Sequence, residues 1–160
     1  MDLDHERFMD IAIELSRQAG AQGNRPVGSV IVDMNGQIVA QGANQVVSDV
    51  DPTAHGEVVV IRQAARKLDT IDLSGHTLYT AMEPCPMCCW AILEAQVSCL
   101  VLGARHAAIG RKDLGTYSVE SFFALTGRSL PVVTGVMAQA CVDIRLAWVA
   151  ERAGRGLGPR

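Results

Sequence analysis

His55 and Glu57 flank a single glycine, and further along the chain Cys85 and Cys88 flank Pro86-Met87. One imidazole and two thiolates are soft-to-borderline donors, the set that suits Zn²⁺. Three protein donors leave a fourth tetrahedral position to water, which marks a catalytic rather than a structural zinc. A spacing of three puts both sulfurs on one face of a helical turn. A helix N-terminus there favours thiolate through its dipole and its free N–H groups. Glu57 is not needed as a ligand. A carboxylate beside activated water can accept its proton and pass it to a ring nitrogen and to a leaving amine. The joint pattern His-x-Glu…Pro-Cys-x-x-Cys is therefore one of hydrolytic deamination of an amino-bearing ring. The cysteines alone would also suit a redox pair, but that leaves His55 and Glu57 without a purpose.

These residues need elements to hold them. Apolar Phe8, Ile11, Ala12, Leu15 and Ala19 recur at helical spacing, so a helix is predicted over 4–19, ending at Gly20. The β-branched run at 27–33, the Asn35-Gly36 dipeptide and the stretch 37–47 predict a hairpin. A second helix is predicted over 54–68, opening at His55, and a strand over 77–81 leads into Glu83-Pro84-Cys85. A third helix over 86–94 suits proline in its first turn. A strand at 99–102, a helix at 118–125, a strand at 132–136 and a last helix at 137–151 complete the pattern. Strands alternating with helices after an opening hairpin predict an α/β layered domain. One domain over 1–153 with a flexible tail over 154–160 fits a chain of 160 residues.

Composition narrows the class. Hydrophobic residues make up 49% and charged residues 19%, a globular balance. The formal net charge of -3 gives no global positive field and argues against a nucleic-acid partner. An odd five cysteines, three of them between 85 and 89, make a poor disulfide framework and fit a reducing compartment. With no signal-like start and no long apolar run, a cytoplasmic protein without a membrane span is expected. Cys89, Cys99 and Cys141 read as core residues, and Phe122 and Phe123 as packing. His5, His76 and His106 read as surface or hydrogen-bonded histidines. Arg152, Arg155 and Arg160 read as a solvated basic end.

The segments Asn24-Arg25-Pro26-Val27-Gly28, Asp51-Pro52-Thr53-Ala54-His55-Gly56-Glu57 and Glu83-Pro84-Cys85-Pro86-Met87-Cys88 resemble the cytidine-deaminase-like superfamily of zinc hydrolases. The likeness runs over nearly the whole chain. It implies a three-layer α-β-α sandwich with a five-stranded mixed sheet, and a homodimer or larger homo-oligomer. It implies one zinc per subunit on His55, Cys85 and Cys88, with Glu57 as proton shuttle. The zinc motifs are similar to those of bacterial guanine deaminases and tRNA adenosine deaminases, which usually carry Ala where this chain has Gly56. Gly56 is similar to fungal cytosine deaminases. That likeness gives Asn44 a hydrogen bond to the substrate ring, and it makes Trp148 and Glu151 a Trp-x-x-acid pair closing the pocket. Gly56 itself would let its backbone N–H approach the ring. The stretch 107–130 matches no branch well.

The leading expectation is thus deamination of a free heterocyclic amine, a nucleobase or triazine such as cytosine, 5-azacytosine, ammeline, guanine or isoguanine. A tRNA-specific adenosine deaminase is the alternative enzyme, and a non-catalytic zinc-stabilised interaction module the alternative of another class.

Overall fold

The computed structural model describes residues 3–158. Five helices and five strands follow in the order α1 (His5–Ala21), β1 (Gly28–Val32), β2 (Ile38–Ala43), α2 (Gly56–Leu68), β3 (Thr77–Met82), α3 (Pro86–Glu94), β4 (Cys99–Ala104), α4 (Val119–Thr126), β5 (Val132–Thr134) and α5 (Ala138–Gly154). The strands form one mixed sheet in the order β2-β1-β3-β4-β5. β1 is antiparallel to β2 and β3, whereas β3, β4 and β5 run parallel.

Residues on β1, β3 and β4 are buried throughout or nearly so, as strands covered on both faces must be. Strand alternation divides them between two cores. Ile31, Leu78, Leu100 and Leu102 pack with Val60 and Ala64 of α2, Ile92 of α3 and Val119 of α4. Val30, Val32, Tyr79 and Val101 pack with Phe8, Met9 and Ile13 of α1 and Cys141 of α5. The result is the expected layered α/β sandwich.

Local chemistry sets the boundaries where they differ from the pattern. α1 runs through Gly20 and is capped at Gln22, because a helix tolerates glycine at modest cost. β2 stops at Ala43 rather than running to 47. There the Asn44 backbone N–H donates to the Val27 carbonyl (2.9 Å) and its Oδ1 accepts from Val46 N (3.2 Å), turning the chain away from the sheet. Buried Asn24 holds that turn from across the gap, its Oδ1 accepting from Val47 N (2.9 Å) and Ser48 N (3.2 Å). α5 extends three residues beyond the expected 151 to Gly154, and Arg152 Nε donates to the Gly158 carbonyl (3.0 Å). The last two residues of the expected tail, 159–160, lie outside the described residues.

Candidate active site

Two helices begin at the same place in space. His55 is the N-cap of α2 and Cys85 the N-cap of α3, both with extended backbone. Pro86 occupies the first turn of α3, where its missing N–H costs nothing. The C-terminal end of β3 delivers Glu83-Pro84-Cys85 to this point. His55 Nδ1 lies 3.5 Å from Cys85 Sγ and 3.4 Å from Cys88 Sγ, and the two sulfurs are 3.6 Å apart. Tetrahedral zinc bonded at about 2.3 Å to sulfur and about 2.0 Å to nitrogen sets such donors roughly 3.5–3.8 Å from one another. The triad therefore fits a single zinc ion, and among the described residues it is the one group of three such donors within ligating reach. The contact between the Cys85 and Cys88 sulfurs brings the Cys85 pKa down to about 3, with His55 adding to the effect. The same interaction pushes Cys88 up, and Cys85 in turn raises His55.

Glu57, in the first turn of α2, is 3% exposed. Burial, and then the neighbouring Cys85, raise its pKa above the ordinary carboxylate value, the direction that suits a group which must both take and give a proton. Glu83 anchors the approach to Cys85. It is also 3% exposed, and its carboxylate accepts from Arg105 Nη1 (3.0 Å), His106 N (2.9 Å) and Val119 N (3.0 Å). Tyr117 Oη donates to the Pro84 carbonyl (2.6 Å), so the same short segment is held from both sides.

Asn44, His55, Glu57 and Cys85 line one cavity, with Val27, Met82 and Glu83 beside them. Arg25, Ile109, Arg111 and Arg145 complete its wall and also line a larger cavity of about 420 Å³ next to it. The sequence reading thus brings Asn44 to the site. It does not bring Trp148 or Glu151, which face another groove beside Gly20 and Pro26 of the α1 end. The reason is helical phase. Arg145, Leu146 and Val149 turn toward the large cavity, whereas Ile144, Ala147, Trp148 and Glu151 turn toward α1. Trp148 is buried there, and Glu151 is exposed and paired with Arg155 (3.7 Å). Gly56 is buried beneath β1 rather than lining the cavity.

Three of these wall residues, Arg25, Arg111 and Arg145, were not singled out by spacing, because each stands alone in the sequence and only the fold collects them. Of the two readings of His106, surface or hydrogen-bonded, burial excludes the first; its ring lies 5.9 Å from that of Tyr117, and burial, with Arg111 next, lowers its pKa. Cys89 and Cys141 are buried in the two cores as expected. His5 and His76 are hydrogen-bonded, to Tyr79 Oη and to the Leu73 and Ser74 carbonyls.

Residues 2–104 match the cytidine and deoxycytidylate deaminase zinc-binding region. The chain belongs to this family. A tRNA-specific adenosine deaminase of Haemophilus influenzae is 36% identical over 136 residues, covering 85% of this chain and 78% of that protein. A solved tRNA:A34 deaminase that edits A to I at the wobble position superposes with a TM-score of 0.75 at 31% identity, covering 86% of this chain and 98% of the other. The guanine deaminase of Nitrosomonas europaea superposes with a TM-score of 0.80 at 30% identity, covering 94% and 87%. Further tRNA-specific adenosine deaminases, from Buchnera aphidicola, Aquifex aeolicus and Bacillus subtilis, are 32–35% identical. The tRNA deaminases among these relatives overturn two expectations from the sequence, that the substrate is a free heterocycle and that nucleic acid is not a partner. Net charge was the wrong measure for the second. It averages over the surface, whereas an RNA contact needs cations only where the strand lies.

Proposed function

We propose that the chain is a zinc-dependent tRNA-specific adenosine deaminase, converting a target adenosine to inosine with release of ammonia. The observation that carries this reading is the tRNA-specific adenosine deaminase relatives, matched over most of both chains, together with the His55–Cys85–Cys88 triad beside a buried Glu57. His55, Cys85 and Cys88 would hold the ion. When bound, zinc supplies Lewis acidity that makes water acidic enough to act as a nucleophile near neutrality.

The protein's own residues do the rest. The target base must leave its stack to enter the cavity. Asn44 stands in the wall to hydrogen-bond the edge of the ring. Water adds to C6 of the base while Glu57 takes its proton and passes it to the adjacent ring nitrogen, N1. The C6–N6 bond then breaks as Glu57 delivers the second proton to the departing amine, so adenosine and water become inosine and ammonia. The work fits a cytoplasmic protein, and no described helix is long and apolar enough to cross a membrane.

The test is inosine formation by the zinc-loaded chain on tRNA, set beside ammonia release from free adenine, guanine and cytosine. Inosine in tRNA with no turnover of free bases is the expected result. Turnover of free bases with none on tRNA would overturn the reading.

A further inference from the structure

Asn24 does not line the metal-site cavity, yet it is fully buried and its side chain bonds to a single turn. Its Oδ1 accepts from Val47 N (2.9 Å) and Ser48 N (3.2 Å), and its Nδ2 donates to Ser48 Oγ (3.2 Å). Only the amide oxygen can meet two backbone N–H groups, which settles the way this side chain faces. The Asn24 backbone N–H donates to the Ala19 carbonyl (3.0 Å), so the residue is itself fastened to the end of α1.

The turn held in this way runs between two residues of the site. It leaves the sheet at Asn44. Gln45 N then donates to the Ala54 carbonyl (2.9 Å) and Asp51 N to the Val46 carbonyl (3.2 Å), which joins the turn to the residue before His55. Little apolar burial supports it. Val47 and Val50 are exposed, and Val50 has a φ of 53°, unfavourable for a β-branched residue. The place of Val46 decides what Asn44 offers the cavity. Asn44 Oδ1 accepts from Val46 N (3.2 Å), which leaves Nδ2, a donor, as the end for the substrate. Without that bond the amide is free to turn over and set its carbonyl against the lone pair of a ring nitrogen.

We propose that Asn24 is a positioning residue for the deamination. By holding Val47 and Ser48 to the end of α1, it keeps Val46 N on Asn44 Oδ1 and so keeps Asn44 Nδ2 directed at an unprotonated nitrogen of the substrate ring. Asn24 touches no substrate and acts only through Asn44. Water can replace the bonds of a truncated Asn24, but it does not tie the turn to a helix. A misplacement of about 1 Å in a group that orients the ring costs on the order of 10²-fold in rate. The inference rests on the deaminase reading above for the task of Asn44.

The test is a double-mutant cycle in the zinc-loaded full chain, with Asn24→Ala, Asn44→Ala and both together, assayed on tRNA. Each single substitution is expected to lower kcat/KM by about tenfold or more. The pair should lose no more than Asn44→Ala alone, because a residue that works through Asn44 has nothing left to position. Asn24→Asp keeps an acceptor for both N–H groups, with Ser48 Oγ donating in its turn, and should recover most of the loss. Zinc per chain should be the same in every variant. Losses that add in the double variant, or that follow zinc content, would make Asn24 a merely structural residue and overturn the proposal. If Asn24→Ala does not fold, Ser48→Ala loosens the same contact from an exposed position and enters the same cycle. If tRNA is not deaminated, the RNA reading fails by itself, and the cycle is read on the free base that releases ammonia. One readout needs no turnover. In ¹⁵N spectra the Asn44 side-chain amide, identified by its loss in Asn44→Ala, should shift or broaden in Asn24→Ala and keep its place in Asn24→Asp. An Asn44 amide indifferent to Asn24→Ala would overturn the proposal whatever the substrate.

Discussion

Gly56 meets Val27 so closely that a Cβ at residue 56 would lie 2.6 Å from the Val27 carbonyl oxygen and 3.1 Å from Ser29 Oγ. The start of α2 is thus pressed against the backbone leading into β1, and this contact sets the height at which His55 and Glu57 stand over the sheet. Lack of room for a Cβ accounts for the glycine.

Gly56→Ala should therefore destabilise the fold. Alanine gains at most about 1 kcal/mol in helix propensity, whereas forcing a methyl group into a filled site costs about 1–3 kcal/mol. The obstacle is backbone, which yields less readily than a side chain. Thermal melting of the zinc-loaded protein should show a lower Tm by a few degrees. An unchanged or higher Tm would mean that the strand shifts freely.

Glu57→Gln should leave zinc content unaltered and reduce inosine formation by about 10²–10⁴-fold, the usual worth of a positioned proton-transfer group. Glutamine keeps the shape but carries no proton to give. Zinc per chain is read by atomic absorption and turnover on tRNA in the same preparation. Full turnover with zinc in place would remove Glu57 from its assigned role.

Glu83→Ala should be the most destabilising change at the site. It strips the acceptor from the buried N–H groups of His106 and Val119, at about 1–3 kcal/mol each. Arg105 suffers less, because it also donates to both oxygens of Glu120 (2.9 and 2.7 Å). A loss of roughly 2–5 kcal/mol is expected from urea unfolding, with faster release of zinc, since Glu83 holds the segment that ends in Cys85. Glu83→Gln retains one acceptor oxygen and should lose less. Equal stability of the alanine variant and the unaltered chain would refute the anchoring role.

What could be read from the sequence was what depends on local spacing. His55 and the Cys85–Cys88 pair each sit at a helix start, so their convergence required only that two helix N-termini meet at one end of a sheet. At Asn44 the local signal, an Asn at a strand end, gave only a turn, which its side chain makes with Val46 N; its place in the site wall came from the family resemblance. Trp148 and Glu151 were misplaced because a four-residue pattern does not specify the phase of its helix. That phase is set by α1, which packs alongside α5 and takes up the Trp148 face. Arg25, Arg111 and Arg145, which line both cavities, were invisible because they lie far apart in the chain and no periodicity links them. Substrate class was not legible either, since net charge averages over the surface and says nothing of local charge.

The Arg111–Asp113 pair gives a direct reading on the wall of the larger cavity. Hydrogen bonds from Arg111 bring the Asp113 pKa from 3.8 to about 2. Between these two values the unfolded chain binds more protons than the native one, so stability rises with pH across that window. The contribution is complete above about pH 4 and is lost as pH falls through about 2. It is small, because the carboxylate is largely exposed and water screens the pair. The local titration is the better measurement. Carboxyl ¹³C resonances should give Asp113 a midpoint near 2, and Arg111→Gln should return it toward 3.8. A midpoint already near 3.8 in the unaltered protein would mean that Arg111 is not held by Asp113 in solution.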